Sequence, residues 1–463
     1  MQKKNTEKFI NILELAFKCS FLIFGLMTFN SYTFARPIMS VIVWTTAGLA
    51  GIVFIYRLFN YKRFILNNVV LAILFAFLVS YVISMILNLR YGFITPIKTF
   101  FWMVLQYCLL LATDQNRSID SYRKEITFVS VFYLIYMAVA GLISIIQMFL
   151  RYGTVTVING QYVKSGFVWG RLWGVFTDPN YASVMAVIAI LFSLYYIYTC
   201  GKKWQKALLW VNIIIQTLYI GFSDSRTGMV VAFIALGFFV YCLMIQKQQK
   251  RNLIVKNAIC ITMAVVVAFA YIGIIQLSKK GFNLLTEIKI ENINHMAAEE
   301  KQELIIGREQ DVNNDISNRR FDLWKSAVET IAEKPVFGLS FNNIVPFVKE
   351  NLPDTYLINN DHGEFNNYHN VWFNILVGQG IIGFILFILA TAVAGIKCIK
   401  KLKKHFFESD SLFYIMLFSI LIAALASSLF VSDLVYAHSV CMVLFWYFLG
   451  IMLKREEAGS EQT

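Results

Sequence analysis

The sequence predicts an all-α polytopic membrane protein with about twelve transmembrane helices and one large, partly helical outer loop. Three observations lead there. Hydrophobic residues make up 58% of the 463 and charged residues only 15%. Mean hydropathy is +0.61. Apolar runs of about 20 residues, the length that crosses a ~30 Å hydrocarbon layer, recur along the chain. Such a composition excludes a water-soluble protein.

Taken in order, spans are expected at residues 10–30, 38–56, 66–88, 94–112, 125–150, 180–199, 206–222, 226–245, 257–277, 371–396, 411–431 and 434–453. The first carries Glu14 and Lys18, and the fourth carries Pro96 and Lys98. A basic start and an apolar run without a small-residue cleavage pattern make the N-terminus a retained span and not a removed signal. The expected organisation is a membrane domain over 1–277, an extracytoplasmic loop over 278–370, a second membrane domain over 371–453 and a cytoplasmic tail over 454–463.

The formal charge of +13 could mark a nucleic-acid binder, so the position of each cation matters. With the N-terminus inside, Arg57, Lys62, Arg63, Arg117, Arg123, Lys124, Lys202, Lys203, Lys206, Lys247, Lys250, Arg251, Lys400, Lys401, Lys403, Lys404 and Lys454 all fall on the cytoplasmic side. Short outward segments hold few cations, among them Arg36, Arg90, Lys164, Arg171 and Arg226. Cytoplasmic loops collect Lys and Arg, which orients the chain N-in and C-in. The basic excess then reads as a topology signal beside an anionic leaflet, with no nucleic-acid partner. All seven cysteines fall inside spans or at cytoplasmic span ends. That leaves no disulfide framework, no zinc pattern and no thiol nucleophile at the outer face.

Within 278–370, residues 317–333 read as a helix. Ser317 is a suitable N-cap, and Trp324, Ala327, Val328 and Ile331 share a face one turn beyond Arg320. Lys334-Pro335 stops it and Gly338 follows as a turn residue. Its apolar stripe is expected to lie on the membrane surface or on neighbouring span ends.

Three outward segments carry the remaining polar chemistry. In Gly170-Arg171-Leu172-Trp173-Gly174 followed by Asp178-Pro179-Asn180, Asp178 reads as a helix N-cap with Pro179 at the first helical position. Arg171 lies between Trp169 and Trp173, where it can be an interface anchor or an anion ligand. In Ser223-Asp224-Ser225-Arg226-Thr227-Gly228, Ser223 or Asp224 caps the next helix. Arg226 stands at a helix start, which the macrodipole disfavours for a cation, so a bound anion is one reason for it to be there. The third segment runs from Asn360 to Asn370 and holds His362, His369, Asp361 and Glu364. Its spacings match no compact metal-ligand pattern. His369 at the membrane edge can act as a base near neutral pH or as a cap.

At these residues the sequence resembles the O-antigen ligase and polymerase family of bacterial envelope glycan enzymes. The shared layout is a G-R-x-x-G then D-P-N segment before a span, an S-R-T-G turn, and a long outer loop with R-x-x-x-W (Arg320, Trp324) and P-x-x-G (Pro335, Gly338). Tyr368-His369-Asn370 and a G-x-x-G (Gly380, Gly383) close it. The resemblance covers roughly residues 165–400. It implies a GT-C-like glycosyltransferase architecture in a bacterial cytoplasmic membrane, active at the outer face. The implied reaction is metal-independent transfer of a glycan from an undecaprenyl diphosphate donor to an acceptor sugar hydroxyl, with no cofactor. His369 would be the base, Arg171, Arg226 and Arg320 the diphosphate ligands, and Asp178, Asn180, Asp224, Ser225, Tyr368 and Asn370 their support. The guanidinium suits the task, since it binds phosphate oxygens bidentately and stays charged. Polymerisation of a capsule, exopolysaccharide or O-antigen is the preferred role, and ligation of finished polymer to a lipid or protein acceptor the alternative. A transporter of the same lipid-linked units is the rival from another class, but no two matching halves are visible and the ionisable residues gather at outer span ends.

Overall fold

The computed structural model describes residues 2–65, 69–158, 161–248, 252–293, 306, 319–360 and 363–455. It is an all-α polytopic membrane fold, with one small sheet added. The helices are α1 (Gln2–Thr28), α2 (Pro37–Phe59), α3 (Val69–Leu87), α4 (Ile94–Leu105), α5 (Ile119–Phe149), α6 (Pro179–Thr199), α7 (Lys203–Phe222), α8 (Arg226–Lys247) and α9 (Leu253–Ile293). Beyond 319 follow α10 (Arg320–Glu333), α11 (Ile344–Asn351), α12 (Val371–Lys404), α13 (Ser411–Ser427) and α14 (Val440–Leu453). Nine helices among the described residues are long and apolar enough to cross a membrane. Of the other expected spans, 206–222 is α7, while 411–431 and 434–453 are the shorter helices α13 and α14. Both spans were drawn too long at the ends that meet, because residues 428–439 leave the helix.

The polar residues that weakened the first span have partners in the bundle. Glu14 accepts from Arg57 Nη2 at 2.8 Å, and Lys18 pairs with Glu125, which also receives Arg117 at 2.5 Å. Each of these side chains is at most 8% exposed, so pairing is what makes their burial tolerable. The fourth span continues from α4 into a π-helical turn at Gln106–Leu111. Beside it, Arg57 Nη1 donates to the carbonyls of Cys108 at 2.6 Å and Ala112 at 2.5 Å. Carbonyls freed at such a bulge or helix end need donors, and Arg57 supplies them.

Residues 153–174, expected as loop, form an antiparallel sheet of β1 (Gly153–Ile158), β2 (Gln161–Val168) and β3 (Arg171–Gly174). It packs tightly on α5. Gly174 has φ +63, and a Cβ there would collide with the Ser144 side chain. The Ser144 hydroxyl also accepts from the amide of Val175 at 3.1 Å.

Helix α10 starts three residues later than expected, with Arg319 in left-handed conformation at its N-cap position. Ser317, the expected cap, lies outside the described residues. Its buried face is also rotated: Leu323, Ser326, Ala327 and Thr330 point inward, while Val328 is exposed. Of the two expected partners, that face takes a neighbouring span end, meeting Val377 near the start of α12. It joins Leu339, Ile344, Phe347, Val348, Leu357, Tyr368 and Val377 in a second core built largely by the outer loop itself.

The segment before α11 is fastened to α12 where that helix breaks. Gly380 inside α12 has φ +62, and residues 335–340 run beside the break. Leu339 N donates to Val377 O at 2.9 Å, Ser340 N to Gly378 O at 2.7 Å and Ile381 N to Pro335 O at 2.9 Å. A Cβ on Gly338 would strike the Val377 carbonyl, and one on Gly380 the Val336 carbonyl. The P-x-x-G and G-x-x-G motifs are therefore two halves of one backbone clasp, closed by Ser84 of α3 and by Asn88 just after it, which bond Gly378 O and Gly338 O at 2.8 and 2.9 Å.

Candidate active site

Helix starts build the site. Asp178 caps α6, accepting from the amides of Asn180 at 2.7 Å and Tyr181 at 3.3 Å. Ser225 caps α8 through Gly228 N at 3.1 Å, and Asn370 caps α12 through Trp372 N and Phe373 N at 2.9 and 3.2 Å. Of the three, Asp178 has the capping role expected from its sequence position. The N-cap of α8 is Ser225, while Ser223 joins its hydroxyl to that of Ser183 at 2.8 Å. The starts of α6 and α8 are linked because Asn180 Oδ1 accepts from Ser225 Oγ at 3.1 Å. The amide of Val440, at the start of α14, donates to Tyr181 OH at 2.5 Å. The positive starts of α6 and α8 thus lie side by side, although their own caps occupy the first amides.

Arg171 is 6% exposed, so it is not a snorkelling anchor. Its Nε donates to Ser223 O at 2.8 Å and its Nη2 to Asn180 Oδ1 at 3.1 Å, which ties β3 to the turn before α8. Arg226 is the first residue of α8, half-buried between Ser225 and Thr227. Arg320 opens α10, donates from Nη2 to Thr227 Oγ1 at 3.1 Å, and lies 5.4 Å from the Phe430 ring centroid. Asp224 has φ +47 and accepts from Lys279 of α9 at 2.8 Å.

His369 is left-handed, with φ +50, a conformation that costs a non-glycine residue energy and so needs local support. The support is a polar frame: His369 N donates to Asn367 Oδ1 at 2.8 Å, Ser432 Oγ donates to the same oxygen at 2.8 Å, and Asn374 Nδ2 reaches Ser432 Oγ at 2.6 Å. Phe365 packs edge-on to the imidazole at 5.7 Å. Burial pushes the imidazole pKa below its ordinary value; Asp178 acts against the shift and Arg320 adds to it. Both residues are therefore electrostatic neighbours of His369. Its ring is held neutral near pH 7, the form that can accept a proton.

Tyr368 points the other way. Its hydroxyl lies 2.9 Å from Thr330 Oγ1 in the outer-loop core, so the tyrosine anchors the loop and leaves the imidazole next to it in the site. Asp361 and His362 lie outside the described residues. Glu364 accepts from Lys349 at 2.7 Å on the surface. The group of metal-capable side chains found among the described residues, His405, Glu408 and Asp410, follows the far end of α12 from His369.

Sequence reasoning missed two contributors. Residues 428–439 supply Ser432 and Phe430 to the frame, and Asp433, 1% exposed, accepts from Ser427 Oγ at 2.9 Å. Burial raises the Asp433 carboxyl to about 7. A carboxylate and a histidine inside an otherwise apolar stretch were the available signal. The second is Lys164 on β2, whose ammonium lies 4.1 Å from the Trp169 ring centroid and 4.5 Å from that of Trp173.

A sequence model described as O-antigen ligase matches residues 211–388. An uncharacterized protein of Haemophilus influenzae is 24% identical over 232 residues, which are 50% of this chain and 52% of that protein. The chain spans about half the length of this curated relative.

Proposed function

With residues 211–388 assigned to the O-antigen ligase family, we propose that the chain transfers a glycan from an undecaprenyl diphosphate donor to an acceptor hydroxyl at the outer membrane-water boundary. The observation that carries this reading is the joining of Arg171, Arg226, Arg320 and His369, from four separate segments, around the starts of α6, α8 and α12. A lipid diphosphate leaves with the electron pair of the bond to sugar C1, and its growing negative charge needs fixed donors. Guanidinium groups beside positive helix ends supply them, and removing one such donor from a comparable oxyanion site costs about 3–4 kcal/mol. The neutral His369 imidazole takes the proton of the acceptor hydroxyl as its oxygen attacks C1 from the face opposite the diphosphate. The anomeric centre inverts in one displacement. Neither a carboxylate pair nor a metal is needed for this route.

The family description favours ligation of a finished glycan to an acceptor over polymerisation of repeat units, which shares the same chemistry and is the second reading. The test is His369→Ala in the producing cell. The variant should insert normally, make no transferred glycan and accumulate lipid-linked donor. Unchanged glycan would remove His369 as the base.

A further inference from the structure

The outer sheet holds a cation whose surroundings the proposed chemistry does not use. Val168 pairs with Arg171, which leaves Trp169-Gly170 as a two-residue hairpin turn with φ +52 and +68. Such a turn needs left-handed backbone at both positions and favours Asn or Gly, so an indole there is a locally costly choice. Trp169 is 62% exposed as a result. Lys164 lies against this indole and against Trp173, and the Arg171 guanidinium carbon is 5.9 Å from that same Trp173 ring. Lys164 forms no ion pair among the described residues; burial and then Arg171 depress its affinity for a proton, and Asp178 acts against them. Aromatic faces offset part of the cost of burying the Lys164 ammonium, but they do not neutralise it. What fits beside such a lysine is an anionic oxygen group. What fits on an exposed indole next to it is the C–H face of a sugar ring.

We propose that Lys164, Trp169 and Trp173 form a subsite for an acidic sugar of the transferred or accepting glycan, with the sugar carboxylate on the Lys164 ammonium and its ring on Trp169. The assignment rests on the glycosyl-transfer reading and adds a substrate class to it.

The test uses the full chain in zwitterionic nanodiscs, titrated with a glucuronate-containing tetrasaccharide, with its carboxyl-reduced counterpart and with inorganic pyrophosphate. The acidic tetrasaccharide should bind at least tenfold tighter than the reduced one. Lys164→Met should bring that ratio below twofold, Lys164→Arg should keep it, and Trp169→Ala should weaken both sugars. Pyrophosphate affinity should be the same in all four proteins. No preference for the acidic sugar, or a preference that survives Lys164→Met, overturns the subsite while pyrophosphate binding leaves the transfer reading standing. Pyrophosphate affinity lost with Lys164→Met also overturns it, by giving the lysine to the diphosphate. Failure of the wild type to bind either probe sinks both readings.

Discussion

His369 occupies a backbone conformation that its own side chain does not favour, and Asn367, Ser432 and Asn374 hold it there. Because burial and Arg320 lower its pKa, the neutral base predominates above the ordinary value of about 6.5 and is lost only as pH falls below it. The acid limb of kcat/KM should therefore lie below that value. Arg320→Gln removes a cation that depresses the imidazole and should move the limb to higher pH, besides lowering the rate. A limb that stays in place would separate Arg320 from the histidine. Arg226→Lys should cut turnover by tenfold or more with little change in protein level, since a point charge does not reproduce a bidentate fork. The residue scale was partly legible in sequence. Asp178 announces itself as a cap by its position before Pro179. That Arg171 turns inward to Ser223 depends on contact across the fold, which no local pattern encodes.

At the scale of elements, the clasp between residues 335–340 and the broken α12 sets the height of the outer loop over the bundle. Gly380→Ala adds a Cβ at φ +62 directed at the Val336 carbonyl. At φ +62 and ψ −168 the backbone is one that essentially only glycine adopts, which costs about 1–3 kcal/mol for another residue, and the collision adds to it. The variant should melt at lower temperature by intrinsic fluorescence and lose activity more than Gly395→Ala, where a Cβ meets nothing within 4 Å. Long apolar helices were readable because their signal is continuous over about 20 residues. The sheet at 153–174 was not. Its alternating Thr and Val around Asn159-Gly160 is a hairpin pattern, but it is short and lies between two strong spans. Residues 428–439 escaped for the opposite reason, since their apolar content matches that of a helix and Asp433 and His438 are the only Asp, Glu, His, Lys or Arg residues in it.

For the whole molecule, charge divides into parts with separate tasks. Glu125 receives Lys18, Arg117 and the Tyr447 hydroxyl within the bundle. Breaking such a buried network strands the remaining charges, so Glu125→Gln should cost roughly 3–5 kcal/mol and depress the melting temperature without moving the pH profile. Exposed cations at loop ends imply the N-in, C-in orientation. Single cysteines replacing Trp169 and Lys404 in a cysteine-free background should then be labelled by an impermeant maleimide from outside only at position 169. The central claim is glycan transfer from a lipid diphosphate by a histidine-and-arginine site, and purified protein in nanodiscs tests it most directly. Given undecaprenyl diphosphate-linked glycan together with an acceptor, the wild type should release undecaprenyl diphosphate in step with new glycosidic bonds, and His369→Ala should release at least a hundredfold less. A second acceptor should be required for ligation, whereas a product ladder from the donor alone would make the chain a polymerase. Equal release by the wild type and His369→Ala, or no release by a folded wild type, would contradict the account.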